Sequence, residues 1–238
     1  MQGRLSPMED NKIQSFPWKN WQREFDEANQ NNFNLMEWTL DYDNLYENPL
    51  LKDDGVELIQ FLSNKFKIAI PSLTGDCFMQ NPFWKVEQIK RKQLEKDFDN
   101  ILLGCSNAGI SLILIPLVDN GSVENRHQEN IIVDFLMSRL HLLKELSIRI
   151  CFESDYSPKK LKIFIDNFDD SYFGINYDTG NSAALGFNPF EEFAAYGDRV
   201  VNVHIKDRSF GGPTLPIGEG DVNFINIFRL LKEYDYKG

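Results

Sequence analysis

Short apolar runs alternate with longer amphipathic stretches along the whole chain. The runs fall at 34–40 (NLMEWTL), 67–73 (KIAIPSL), 111–117 (SLILIPL), 148–153 (IRICFE), 172–178 (YFGINYD) and 200–205 (VVNVHI). Each is strongly apolar and has the length of one strand, as expected of strands covered on both faces. Between them the apolar residues recur at helical spacing. A helix is predicted from Val56 on (GVELIQFLSNKF), with Val56, Ile59 and Leu62 on one face. Another spans 85–104 through Val86, Ile89, Leu94, Phe98, Ile101 and Leu102, and a third spans 130–146 through Ile132, Phe135, Leu136, Leu140 and Leu143. Further helices are predicted at 18–31, 158–168, 189–196 and 223–234.

Strands separated by helix-sized crossovers must run parallel, which makes this an α/β protein. Two architectures satisfy the pattern: a doubly wound sheet and a (β/α)8 TIM barrel. No G-x-G-x-x-G follows any strand, so the nucleotide-binding version of the sheet lacks its fingerprint. The barrel is the better fit, although 238 residues is short of the typical ~250. MQGRLS reads as the end of a first strand, and the chain stops at KEYDYKG, where an eighth would start. The expectation is one domain over 1–238, a TIM barrel without the start of strand 1 and without strand 8.

Composition narrows the partners. With 42% hydrophobic and 26% charged residues the chain is an ordinary globular protein. No apolar run reaches the ~18 residues of a bilayer span, and MQGRLSPMEDNK has no signal-peptide pattern, so a cytoplasmic protein without a membrane partner is expected. Cys77, Cys105 and Cys151 have neither paired nor metal-type spacing, which argues against a disulfide framework or a zinc ribbon. Thirty-six acidic against 25 basic residues leave a net charge of −11, which disfavours nucleic acid and points to a small-molecule substrate.

Three strands end in a residue able to hold a hard cation: Glu153, Asp178 and His204. The spacings, 178 − 153 = 25 and 204 − 178 = 26, are each about one strand–helix unit. That would set all three at one level at the carboxyl ends of consecutive strands, where such barrels place their sites. Two carboxylates and an imidazole suit Mn²⁺ or Mg²⁺, and would also accept Zn²⁺ or Co²⁺, with positions left for substrate oxygens. Cys151, Asn176 and Asn202 lie two residues earlier on the same strand faces. The two asparagines there need hydrogen-bond partners that a polar site above them would supply. The alternative is that the three residues are unrelated polar side chains at loop starts.

Phe-Glu-Ser-Asp (152–155), Tyr-Asp-Thr-Gly-Asn (177–181), Val-His-Ile-Lys-Asp-Arg (203–208) and Pro-Ile-Gly-Glu-Gly-Asp-Val-Asn-Phe (216–224) resemble the xylose-isomerase-like TIM-barrel family. That family includes sugar and sugar-phosphate isomerases and epimerases. The opening Met-Gln-Gly-Arg-Leu-Ser is similar to the end of its first strand, and the resemblance covers nearly the whole chain. It implies one divalent metal held by a glutamate, an aspartate, a histidine and a last acid on the eighth strand. The first three fall on Glu153, Asp178 and His204; the fourth would lie beyond Gly238. In the epimerases the first and last acids also exchange the substrate proton, which makes Glu153 the candidate catalytic base. It also implies self-association, since many relatives form dimers or tetramers.

The chemistry accounts for such a set. A carbon beside a carbonyl gives up its proton when the resulting enediolate is stabilised, and a chelated cation does this as a Lewis acid. A carboxylate beside that carbon serves as base. Inversion of a centre needs a second group on the opposite face, whereas transfer between neighbouring carbons needs one.

Substrate-binding candidates surround these residues. Lys206 and Arg208, with Arg4, can neutralise an acidic or phosphorylated substrate, or else pair with Asp207 or Glu219 as loop charges. Asn181 stands where related ketose epimerases carry a substrate-binding histidine; it would bind a sugar hydroxyl or cap the following helix. Glu37, at the end of its strand, would touch substrate or form a buried salt bridge. Asp76 and Asp119 occupy turn settings and read as structural. Phe78, Phe83 and Trp84 would be core, or else a sugar-stacking wall. Gly218 and Gly220 flank Glu219 in a loop unlike a phosphate cradle, and His127 and His141 read as surface or packing residues. The expected function is therefore a metal-dependent isomerase or epimerase of a sugar or sugar phosphate. The competitors are a dehydratase on the same barrel and a non-catalytic sugar-binding protein. Three histidines and the acidic charge count against the related apurinic-site endonuclease.

Overall fold

A computed structural model describes residues 5–7 and 14–238. The chain forms two compact units, one up to Arg149 and one from Ile150. In the first, strands β1 (Leu35–Thr39), β2 (Ala69–Thr74) and β3 (Leu112–Leu117) run parallel in sequence order, with Trp38 opposite Leu73 and Leu73 opposite Ile113. Helices Asp53–Phe66 and Gln88–Ala108 make the crossovers. The second unit repeats the pattern. Strands β4 (Arg149–Ser154), β5 (Phe173–Asp178) and β6 (Val200–His204) are parallel and consecutive, joined through helices Pro158–Ile165, Thr179–Leu185 and Pro189–Tyr196. A small antiparallel hairpin follows, β7 (Asp207–Arg208) with β8 (Thr214–Leu215), and then helix Phe224–Glu233. No helix among the described residues is long and apolar enough to cross a membrane.

The six strands predicted between 34 and 205 are present, displaced by at most two residues at either end; the strand end expected at MQGRLS falls largely outside the described residues. The predicted helix at 130–146 is two helices, Arg126–Ser138 and Leu140–Leu146, broken at Arg139. There Arg139 turns out to hold Asp99 through Nε and Nη2 at 3.0 and 3.2 Å and stacks over the Phe135 ring. Phe78, Phe83 and Trp84 form no exposed wall. All three are buried, and Phe83 packs on Phe135 at 4.7 Å between centroids, while Phe78 packs on Phe98 at 5.4 Å. They are core, as aromatic side chains of this size favour.

Asp76 has the structural role its turn setting suggested: it opens helix Asp76–Gln80 and receives Gln14 Nε2 on both oxygens, at 3.1 and 2.9 Å. Asp41, which the sequence did not single out, accepts the Phe16 N–H and Gln80 Nε2, each at 2.7 Å. Together they fasten the segment at 14–16 to the strand ends of this unit. Glu37 lies in the middle of β1 rather than at its end, and its carboxylate accepts hydroxyls from Ser72 at 2.7 Å and from Thr74. Asp119 sits in a turn with φ of 50°, and His127 and His141 are exposed on helices. Arg4 lies outside the described residues.

Candidate metal centre

Alternation along β4 sends Phe152 and Glu153 to opposite faces. Phe152 packs outward on Phe164 and Phe168, at 5.3 and 5.2 Å between ring centroids, which leaves Glu153 facing the other way. On β5 and β6 the register sets Asp178 opposite His204 and Asn176 opposite Asn202. The β4–β5 register differs from the expectation of a common level: Phe152 lies opposite Ile175, which puts Glu153 beside Asn176 rather than beside Asp178.

The three side chains meet despite the offset. Glu153, Asp178 and His204 each offer a ligand atom, all within 4.8 Å of one another, and they are 7%, 4% and 5% exposed. His204 Nδ1 is 3.5 Å from Glu153 Oε2 and 4.0 Å from Asp178 Oδ2. The asparagine layer lies directly underneath. Asn176 Nδ2 donates to Glu153 Oε2 at 2.8 Å and lies 3.3 Å from His204 Nδ1, while its own Oδ1 accepts from Asn202 Nδ2 at 3.0 Å. Cys151 is buried and forms no disulfide.

Helix Thr179–Leu185, absent from the sequence-based elements, completes the site. Asp178 caps it, with Oδ1 accepting the Asn181 N–H at 2.9 Å, and the helix that follows, Pro189–Tyr196, is capped by Asn188, so Asn181 caps neither. Asn181 bridges instead. Its Nδ2 donates to Glu153 Oε1 at 2.5 Å, and its Oδ1 accepts from Arg208 Nη1 at 2.8 Å. Arg208 also donates through Nε and Nη2 to the Gly212 carbonyl. Lys206 pairs with Asp178, Nζ to Oδ2 at 2.8 Å. Its backbone is fixed by Thr179, whose Oγ1 accepts the Lys206 N–H at 2.9 Å and donates to the Lys206 carbonyl at 2.6 Å. Gly180 permits this approach: a Cβ there would stand 2.8 Å from Lys206 Cβ and 3.1 Å from Arg208 Cγ. Thr179 and Gly180 carried no motif of their own, and only their packing gives them a role.

Asp207, treated above as a possible partner of Lys206 and Arg208, serves the loop that follows. It accepts backbone N–H groups of Gly218 and Gly220 at 2.8 and 3.0 Å on Oδ2 and of Val222 at 3.2 Å on Oδ1. Burial alone would raise its carboxyl, but the N–H donors of Gly220, Gly218, Val222 and Arg208 outweigh it and hold the group below the usual range. A depressed folded value means that this stabilisation is present above the unfolded value, about 3.9, and is lost as pH falls through the folded one. Asp207→Asn is expected to speed hydrogen exchange at Gly218, Gly220 and Val222 by about tenfold at neutral pH. Unchanged protection of these amides would remove Asp207 as the organiser of the loop.

A narrow cleft opens beside the site, and Glu153, Asp178, Asn181, Ser182, Glu192 and Tyr196 are among its lining residues. Glu192 was not foreseen. It accepts the hydroxyls of Tyr177 at 2.9 Å and Ser182 at 2.5 Å on Oε2, and of Tyr196 at 2.9 Å on Oε1, which docks its helix behind β5. Burial raises the Glu192 carboxyl, with the three hydroxyls pulling it partly back; burial and the Glu192 charge raise both tyrosines. A raised folded value means that its contribution is full below the unfolded value, about 4.3, and is lost as pH climbs through the folded one. Glu192→Gln keeps an acceptor for Tyr177 and Ser182 and offers Tyr196 a donor. It is expected to match or exceed wild-type stability at pH 7 and to lose the decline above pH ~4.3. Glu192→Ala strands the hydroxyls at a cost of about 3 kcal/mol. Thermal melts of the two variants across pH check the pair of outcomes, and a Gln variant as damaged as the Ala variant would contradict it.

Comparison with known proteins identifies the family and the fold. The family described as Xylose isomerase-like TIM barrel matches residues 25–238. The putative L-ribulose-5-phosphate 3-epimerase SgbU of Haemophilus influenzae is 24% identical over 237 residues, covering 92% of this chain and 81% of its own. An inosose dehydratase of Geobacillus kaustophilus is 26% identical over 131 residues, 45% of this chain and 42% of its own. The chain thus spans less than half of that dehydratase, and 29% of the length of a relative from Methanocaldococcus jannaschii. A solved structure of the IOLI protein with a zinc atom shares the fold, with a TM-score of 0.72 at 15% identity over 94% of this chain and 82% of that one.

Proposed function

Since the chain belongs to the xylose isomerase-like TIM barrel family, we propose that it is a divalent-metal-dependent isomerase or epimerase of a sugar or sugar phosphate. The carrying observation is the convergence of Glu153, Asp178 and His204, buried, with ligand atoms within 4.8 Å. The donor set fits the ion: two carboxylates and one imidazole suit Mn²⁺, Mg²⁺, Co²⁺ or Zn²⁺. Asp178 Oδ2 is buried and accepts no hydrogen bond, and the group against it is itself a cation, the Lys206 ammonium at 2.8 Å, so it is an atom that takes positive charge. When bound, the ion supplies Lewis-acid polarisation of a carbonyl and its neighbouring oxygen.

The remaining work falls to the side chains. Glu153 takes the proton from the carbon beside the carbonyl, held in one orientation by Asn181 on Oε1 and Asn176 on Oε2. Arg208 fixes the Asn181 amide so that its NH₂ is turned to Glu153. Lys206 and Arg208 supply positive charge for a phosphate or for the oxyanion that forms when the proton leaves. Asn181 adds a polar contact for a substrate hydroxyl. Arg4 and Glu37 do not enter this reading: one lies outside the described residues, and the other in the first unit. The family match extends across both units, which supports reading 1–238 as one domain.

The test is metal content of the purified protein followed by solvent deuterium uptake into a panel of ketoses and ketose phosphates. About one ion per chain and deuterium at the carbon beside the carbonyl are the expected results. Loss of water from a keto-inositol, without net isomerisation, would favour the dehydratase reading that the similarity to inosose dehydratase keeps open. No metal uptake from any supplied ion would overturn the proposal.

A further inference from the structure

Lys206 and a divalent cation would claim the same atom. Asp178 has two oxygens, and Oδ1 is committed to the Asn181 N–H as a helix cap. Oδ2 is the one turned toward His204 Nδ1, which in turn faces Glu153 Oε2. That same Oδ2 carries the Lys206 ammonium at 2.8 Å, oriented as an ion pair rather than a hydrogen bond. The Lys206 backbone is held on both its N–H and its carbonyl by Thr179, yet its side chain is 30% exposed. The ammonium can therefore leave Asp178 for solvent or substrate while the main chain stays fixed. Gly180 leaves open the passage along which the lysine stem runs.

From these contacts we infer that Lys206 is a resident counter-cation of the site. Its ammonium neutralises Asp178 until a divalent ion takes Oδ2, and its displacement sets the metal affinity. The displaced ammonium is then free to meet an anionic substrate group. The inference rests on the metal reading above and goes further, because it makes a lysine outside the ligand set a determinant of metal binding.

Two measurements test it. The first titrates Mn²⁺ into wild type, Lys206→Met and Lys206→Arg at low salt and at about 0.5 M NaCl, where distant charges are screened but contacts persist. Lys206→Met is expected to bind Mn²⁺ about tenfold more tightly, with the gap surviving high salt, as for loss of a charged contact. Lys206→Arg should stay near wild type. The second maps acylation of lysines in wild-type protein by mass spectrometry with and without Mn²⁺, and so needs no variant to fold. Mn²⁺ should raise labelling of Lys206. If Lys206→Met binds no more tightly, or Mn²⁺ leaves Lys206 labelling unchanged or lower, the two cations share the carboxylate and the inference fails while the metal site stands. If neither wild type nor Lys206→Met takes up Mn²⁺, the metal reading itself fails. Uptake by Lys206→Met alone would be the strongest support.

Discussion

Asp178→Asn is expected to fold as wild type does and to lose at least about a hundredfold in Mn²⁺ affinity, more than the loss of an outer contact to a ligand brings. Asparagine keeps an oxygen for the Asn181 N–H, and Asn and Asp cap helices about equally well, so helix Thr179–Leu185 should stay in place. What changes is Oδ2. Its replacement by an NH₂ removes the charge that faces His204 and sets a donor against the Lys206 ammonium, which would be driven off. Asp178→Ala would mix two losses, since it also removes the cap at about 1 kcal/mol and loosens the helix that carries Asn181. Melting curves beside a metal titration separate the two variants. Wild-type affinity in Asp178→Asn would take Asp178 out of the ligand set.

Glu153→Gln should lower proton exchange into substrate by roughly 10²–10⁴-fold, the usual contribution of a positioned general base. Its structural consequence is also specific. Both oxygens of Glu153 accept from amide NH₂ groups, Asn181 at 2.5 Å and Asn176 at 2.8 Å. A glutamine must turn its own NH₂ toward one of them. Asn176 is 3% exposed and tied to Asn202, so Asn181 is the one to rotate, which releases its contact with Arg208. A fall in turnover accompanied by a rise in KM for a charged substrate would report that second effect. Exchange at the wild-type rate in Glu153→Gln would place the base elsewhere.

Much of this architecture could be read along the chain because strands covered on both faces must be apolar throughout. That rule located β1 to β6, and it made Glu153, Asp178 and His204 conspicuous as polar residues closing such runs. It also singled out Asn176 and Asn202 as a layer requiring partners, which they find in Glu153 and in each other. Helix Thr179–Leu185 went unseen for the converse reason: TGNSAAL has no apolar periodicity, and its start is set by the Asp178 side chain. The hairpin β7–β8 is only two residues a side, too short for any period to show. Phe78, Phe83 and Trp84 were ambiguous because an aromatic residue after a strand suits a wall and a core alike until Phe98 and Phe135 are brought against it.

The sequence by itself determined where the strands lie and which residues close them, and therefore the candidate donor set; these follow from burial and alternation, which are local. Register, side-chain pairing and competition for a single oxygen atom were decided only by the tertiary structure. The two-residue offset between Glu153 and Asp178 across β4 and β5, the Asn181 bridge from Arg208 to Glu153, and the Lys206 ammonium on Asp178 all join residues from different strand–helix units. No local pattern encodes such contacts, because they exist only once strands have paired and the Thr179–Gly180 turn has brought the exit of β6 against the helix that Asp178 begins.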